Sequence, residues 1–243
     1  MKSLPILSCI LALLLSATDL QAQTKPPEKV LRYAFEIAET GFDPAQISDV
    51  YSRIVTASIF DALYGYDYLA RPVKVIPRVA DGMPVISDDF RTYTVKIKPG
   101  IYFADDPAFD GKKRELVAQD FVYSFKRVFD PKVKSAIYSD LEEEKLVGMD
   151  EVRREAEKPG ARFDYEREVE GIRALDRYTI QFKLKETRPR FIYALADSGG
   201  TGAVAREVVE KYGDKIMEHP VGTGPFKLDQ WTRSSKMTFV RNP

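Results

Sequence analysis

Between Thr92 and Lys98 the chain alternates without a break. Tyr93, Val95 and Ile97 fall on one side, Thr92, Thr94 and Lys96 on the other, and Pro99-Gly100 closes the run. Successive side chains of a strand point to opposite faces, so this pattern predicts a half-buried strand that needs an apolar layer beneath it. A strong helical pattern supplies the layer. From Gln119 to Phe129, residues Phe121, Val122, Phe125, Val128 and Phe129 share one face, Lys126 and Arg127 are expected in solvent, and Asp130-Pro131 ends the helix. Further strands are predicted at Val30 to Ala34, at Gly171 to Leu175 and Tyr178 to Leu184 (a hairpin turning at Asp176-Arg177), and at Phe226 to Trp231 with Met237 to Arg241. Helices are predicted at Tyr51 to Leu63, capped by Ser48 or Asp49, at Pro189 to Ala196 and at Ala203 to Tyr212, with a loop over 198–202 between the last two. The charged stretch Asp140 to Glu170 reads as solvated helix or loop. Short hairpin-linked strands with scattered helices indicate an α/β fold built as mixed-sheet α+β layers.

The first residues bear on compartment. Lys2 precedes an apolar run, Leu4 to Leu15, broken only by Pro5 and Ser8; small residues follow, ending at Ala22. About 12 apolar residues are too few to cross a bilayer. A basic start, an apolar middle and a small residue at the cut predict a signal peptide over residues 1–22, export to the periplasm and a flexible leader over 23–27. Cys9, the sole cysteine, lies inside this segment, too early for a lipoprotein cut. The processed chain therefore has neither disulfide nor thiol nucleophile. Lys plus Arg and Asp plus Glu balance at 37 each, which disfavours nucleic acid as a partner.

Catalytic constellations are hard to assemble. His219 is the sole histidine and is read as structural. No paired-cysteine or His-Glu-x-x-His spacing exists, so no metal site is expected, and there is no Gly-x-Ser-x-Gly nucleophile elbow. Gly222-Thr223-Gly224 lacks the Lys-Ser/Thr and the strand–helix flanks of a phosphate loop. Gly222, Gly224 and Pro225 are read as a structural turn into the next strand. Asp43 before Pro44 is read as an Asx-type turn. No cofactor and no enzymatic activity are expected.

Several segments, in order, resemble the family 5 extracellular solute-binding proteins of ABC importers, the oligopeptide- and dipeptide-binding group. They are Phe42-Asp43-Pro44; Ile59-Phe60-Asp61-Ala62-Leu63; Thr92 to Gly100; Leu116 to Arg127; His219 to Phe226; and Arg241-Asn242-Pro243. Two departures stand out. Val117 takes the place of a capping threonine, so the helix cap must come from elsewhere, and Gly82-Met83-Pro84 replaces a tryptophan-containing stretch.

The resemblance implies a periplasmic-binding-protein-like fold of type II, of which this chain holds the first lobe only. Residues 28–68 and 188–243 form its base domain, residues 69–187 an inserted subdomain, and the second lobe is absent. It implies backbone contacts to ligand from Ile37, Ala38 and Glu39, with Glu39 able to select a cationic group, and an aromatic contact from Tyr138. The implied partners are a peptide and an inner-membrane ABC permease complex, with the protein itself a monomer. Another small solute (a nickel complex, haem, sugar or opine) and a truncated gene product without binding activity remain as alternatives.

Overall fold

A computed structural model describes residues 29–243; the signal-peptide and leader readings lie outside the described residues. The chain divides into two units, Met1–Ala34 and Phe35–Pro243. In the first, residues 29–34 carry no strand, contrary to the expectation for Val30 to Ala34, and Val30 and Leu31 are exposed. A short apolar run becomes a strand only where a neighbouring edge pairs with it.

The second unit is organised around a four-stranded antiparallel sheet of order β3-β4-β6-β5: β3 Val85–Ile86, β4 Thr92–Lys96, β6 Thr179–Lys183 and β5 Ile172–Asp176. Tyr93 pairs with Phe182 and Val95 with Ile180, so the alternation puts all four side chains on one buried face. Helix α2, Ala118–Phe129, packs on β5 and β6, with Phe125 and Phe182 at 5.2 Å between ring centroids. Pairs β1 Tyr64–Tyr66 with β2 Val75–Pro77, and β7 Phe226–Thr232 with β8 Lys236–Arg241, form separate two-stranded sheets.

Helix α2 departs from its predicted exposure. Lys126 and Arg127 are buried along with the apolar face. A buried charge is tolerated when its hydrogen bonds are met or it has a counter-charge; Lys126 has the first and Arg127 has both. The Lys126 ammonium donates to the carbonyls of Tyr165 and Arg167 at 2.8 and 2.7 Å, and the Arg127 guanidinium donates twice to Asp43, at 2.8 and 2.7 Å. The cap that Val117 cannot supply comes in part from Asp120, whose carboxylate accepts the Val117 N–H at 2.8 Å and is gripped by Arg114. Arg114 also reaches Glu207, tying α2 to helix α7, Arg206–Tyr212.

Helix α1, Val50–Ile59, is capped by the Asp49 carboxylate, which accepts the Ser52 N–H at 2.7 Å. It stops four residues short of the predicted end because the Ile59 carbonyl is taken by the Gly224 N–H at 2.7 Å. The charged stretch folds into α3, Tyr138–Glu143, and α4, Met149–Ala156. It is less solvated than predicted: Leu141, Met149 and Val152 anchor its inner side in the core. Helix α5 is shortened to Phe191–Ala194, and the predicted glycine-rich loop winds a helical turn, α6, Ser198–Thr201, in which the Thr201 hydroxyl donates to the Asp197 carbonyl at 2.9 Å.

One carboxylate outside the core is unusually well held. Glu115 accepts from the Arg177 guanidinium at 2.8 Å, the Gly100 N–H at 2.7 Å and the Tyr178 hydroxyl at 3.0 Å. The arginine bond, then the backbone bond, keep its pKa down at about 2, against an ordinary 4.5. Such a group adds stability that is complete above the unfolded value and fades as pH falls through the folded one. Glu115→Gln is therefore expected to be less stable than wild type at neutral pH, with the gap closing between pH 4.5 and about 2. Urea midpoints for both proteins over that range check this; a gap that does not vary with pH contradicts it.

Candidate functional site

The site builds from the residues that follow the first described segment. Phe35 leans on Tyr51 of α1, ring centroids 4.9 Å apart. Beyond it the chain bends at Glu36 and Ile37. Ile37 is 70% exposed and Ala38 is exposed, whereas Glu39 is only 5% exposed. No hydrogen bond joins the backbone of Glu36, Ile37 or Ala38 to another described residue.

Anchoring begins at Glu39. Its carboxylate accepts the indole N–H of Trp231, on β7, and that ring meets Phe42 edge-on at 4.9 Å. The Thr40 N–H donates to the Ser52 hydroxyl at 3.0 Å, and the Thr40 hydroxyl to the Asp49 carboxylate at 2.6 Å. The Phe42 N–H donates to the Met217 carbonyl at 2.9 Å. Asp43 accepts the Ala45 N–H at 3.3 Å, the Asx geometry expected before a proline turn, and pairs with Arg127. Residues 36–38 are thus a short bridge whose main-chain donors and acceptors have no partner among the described residues, held firmly at its far end.

Tyr138 has its own set of partners. Its hydroxyl donates to Glu142 at 2.6 Å, the Arg153 guanidinium lies 3.7 Å above its ring, and Phe129 meets it edge-on at 5.7 Å. Burial, then the bond to Glu142, push its pKa up to about 12. Its hydroxyl and ring are both engaged by residues of α2, α3 and α4.

The Gly222-Thr223-Gly224 loop runs against the end of α1. A β-carbon on Gly222 would stand 2.1 Å from the Ile59 carbonyl oxygen, and one on Gly224 2.6 Å from it. Close approach, rather than an unusual backbone angle, demands the glycines here. Thr223 donates to Asp61 at 3.0 Å and the Pro225 carbonyl accepts from the Asn242 N–H at 2.9 Å, so the loop secures β7. His219 stacks on Tyr212 at 3.8 Å. Among the described residues, no group of three or more His, Cys, Asp or Glu side chains is placed to hold a metal ion, and no helix is long and apolar enough to cross a membrane.

Trp231 and Arg127 are partners of this segment that the periodicity did not reveal. Trp231 lies in a strand with only moderate alternation, and Arg127 sits at the border of an amphipathic face. Their partners, Glu39 and Asp43, lie far off in sequence, and no local pattern encodes such pairings.

The chain is 28% identical over 221 residues to the glutathione-binding protein GsiB of Escherichia coli O1:K1 / APEC, covering 90% of this chain and 35% of that protein. It is 26% identical over 238 residues to di/tripeptide-binding protein 2 of Pseudomonas aeruginosa (strain UCBPP-PA14), covering 96% of this chain and 41% of that one. The chain thus spans well under half the length of these relatives. Among solved structures it superposes on the periplasmic binding protein DppA from Helicobacter pylori in complex with peptide STSA, with TM-score 0.62, 27% identity, and 84% and 37% of the two chains covered. It shares its fold with Haemophilus influenzae OppA in complex with RPPGFSPFR, with TM-score 0.69, 23% identity, and 85% and 37% covered. The fold is that of type II periplasmic binding proteins, in the part this chain spans. A family model, bacterial extracellular solute-binding proteins, family 5 Middle, matches residues 74–243, more than half of the sequence, and the chain accordingly belongs to the family 5 bacterial extracellular solute-binding proteins.

Proposed function

We propose that this chain forms the first lobe of an exported binding protein that captures short peptides for delivery to an ABC permease. The observation that carries the reading is the bridge at residues 36–38, whose main-chain N–H and C=O groups have no partner among the described residues, beside an anchored Glu39. An extended peptide can bond to such groups whatever its side chains are, which suits a receptor for many sequences. Relatives described as binding glutathione or di- and tripeptides support a ligand of that size. The role is binding rather than catalysis, in keeping with those relatives. Residues 69–187 serve as a subdomain inserted into a base made of 28–68 and 188–243, and Ile37 and Ala38 meet the ligand. Tyr138, already engaged, contributes as part of the wall. Export rests on the basic and apolar pattern of residues 1–22.

The test is a titration of the isotope-labelled chain with mixed di- to pentapeptides, read by amide NMR. Shifts confined to residues 36–39 and the Trp231 indole are expected. A lone lobe encloses only part of its ligand, so the affinity is expected in the millimolar range, roughly −4 kcal/mol. Unchanged amides at 36–39, or shifts elsewhere only, overturn the reading.

A further inference from the structure

We infer that Glu39 is a positioning residue. It latches the ligand-contacting bridge to strand β7 through Trp231, and does not read the charge of the ligand. The inference rests on the reading of residues 36–38 as the ligand segment, and it reverses what the resemblance implies for Glu39.

Three observations carry it. First, exposure changes abruptly along the bridge: Ile37 is 70% exposed and Glu39 only 5%, so the carboxylate is turned into the protein. Second, that carboxylate is already engaged by the indole N–H of Trp231, which is itself wedged edge-on against the fully buried Phe42. Hydrogen bonds to a charged acceptor are among the stronger ones in proteins, and a buried acceptor is costly to leave unmade. Third, the next residues are fastened independently, through Thr40 to Ser52 and Asp49 and through Phe42 to Met217. The bridge thus pivots at Glu39, the first anchored residue after it. With the latch closed, the free amides of 36–38 are held in one arrangement before a ligand arrives, and a preorganised edge loses less entropy on binding. With the latch open, the same three residues become a loose strand.

The chain has one tryptophan, so indole fluorescence reports on this contact alone. Glu39→Gln keeps an oxygen that accepts the indole N–H but removes the charge. Glu39→Ala removes the acceptor, and Trp231→Phe removes the donor while keeping an aromatic ring. In the ligand-free protein, Glu39→Ala is expected to move Trp231 emission to longer wavelength. Both Glu39→Ala and Trp231→Phe are expected to speed amide exchange at residues 36–40, with the far-ultraviolet circular dichroism unchanged. Glu39→Gln is expected to match wild type in both readouts. If emission and exchange stay at wild-type values in Glu39→Ala, the latch is overturned.

A peptide series carrying lysine, alanine or glutamate at one position separates positioning from charge reading. Glu39→Ala is expected to weaken all three by a similar factor, about tenfold for the loss of one such bond, and Glu39→Gln to weaken none. Selective loss of the lysine peptide in Glu39→Gln overturns the inference in favour of charge reading. If wild type binds no peptide, the ligand reading fails, while emission and exchange still decide the latch.

Discussion

Replacing Arg127 with alanine is expected to lower the unfolding free energy by about 3–5 kcal/mol, a large share of what holds a domain of this size together. The guanidinium is 3% exposed and its partner carboxylate 0%, and the two are joined by a pair of parallel bonds. Burial pulls the pKa of Arg127 down, but the attraction and hydrogen bonds of Asp43, with smaller help from Tyr123 and Tyr165, together raise it, so it stays charged at any working pH. Without Arg127, Asp43 keeps a bond from the Ala45 N–H but loses its counter-charge in a site closed to water. The cost is that of stranding a charge, not the net value of the pair, and this makes a second variant informative. Asp43→Leu with Arg127→Met removes both charges, and it is expected to recover most of the loss. Urea denaturation of wild type, single and double variants measures both effects; a single-variant loss below about 1 kcal/mol contradicts the argument.

The second large effect is expected at Gly222. An alanine there puts its β-carbon 2.1 Å from the Ile59 oxygen and 2.9 Å from the Phe60 ring. Real β-carbons do not stand so close to a carbonyl oxygen, so the loop must withdraw from α1. Withdrawal breaks the Gly224 N–H bond to that same oxygen and loosens Thr223 from Asp61. The expected cost is about 3 kcal/mol or more, in the upper tail for a single added methyl. Gly82 is the control. Its φ is +90° and nothing lies within 4 Å of an added β-carbon, so Gly82→Ala carries backbone strain alone, about 1 kcal/mol. Thermal unfolding of the two variants side by side separates collision from strain; equal losses contradict the collision.

The parts of the fold legible in the sequence are those specified by near neighbours. The alternation at Thr92 to Ile97 identified β4 and its buried face, and the period of Phe121 to Phe129 identified α2. The hairpin of β5 with β6 came from the turn at Asp176-Arg177, and the pair β7 with β8 from moderate alternation. What was not legible depends on partners that sequence distance hides. Lys126 and Arg127 look solvent-facing until the Tyr165 and Arg167 carbonyls and the Asp43 carboxylate are seen to meet them. The end of α1 is set by Gly224, not by any residue near Ile59. Glu39, an acid on an exposed-looking segment, is turned inward by an indole at the other end of the chain. Val30 to Ala34 shows the converse error, in which strand-forming residues carry no strand.

The reach of these contacts also bears on when the site comes into being. Glu39 and Trp231 are 192 positions apart and Asp61 and Thr223 162, so nearly the whole described chain must be present before either contact can close. Loop closure over such distances delays folding, because the entropy of bringing the ends together is lost before any contact repays it. The four-stranded sheet with α2 involves nearer segments and can assemble first. A chain emerging from its N-terminus would therefore carry residues 36–39 still slack, and only the arrival of the β7–β8 hairpin would tighten them.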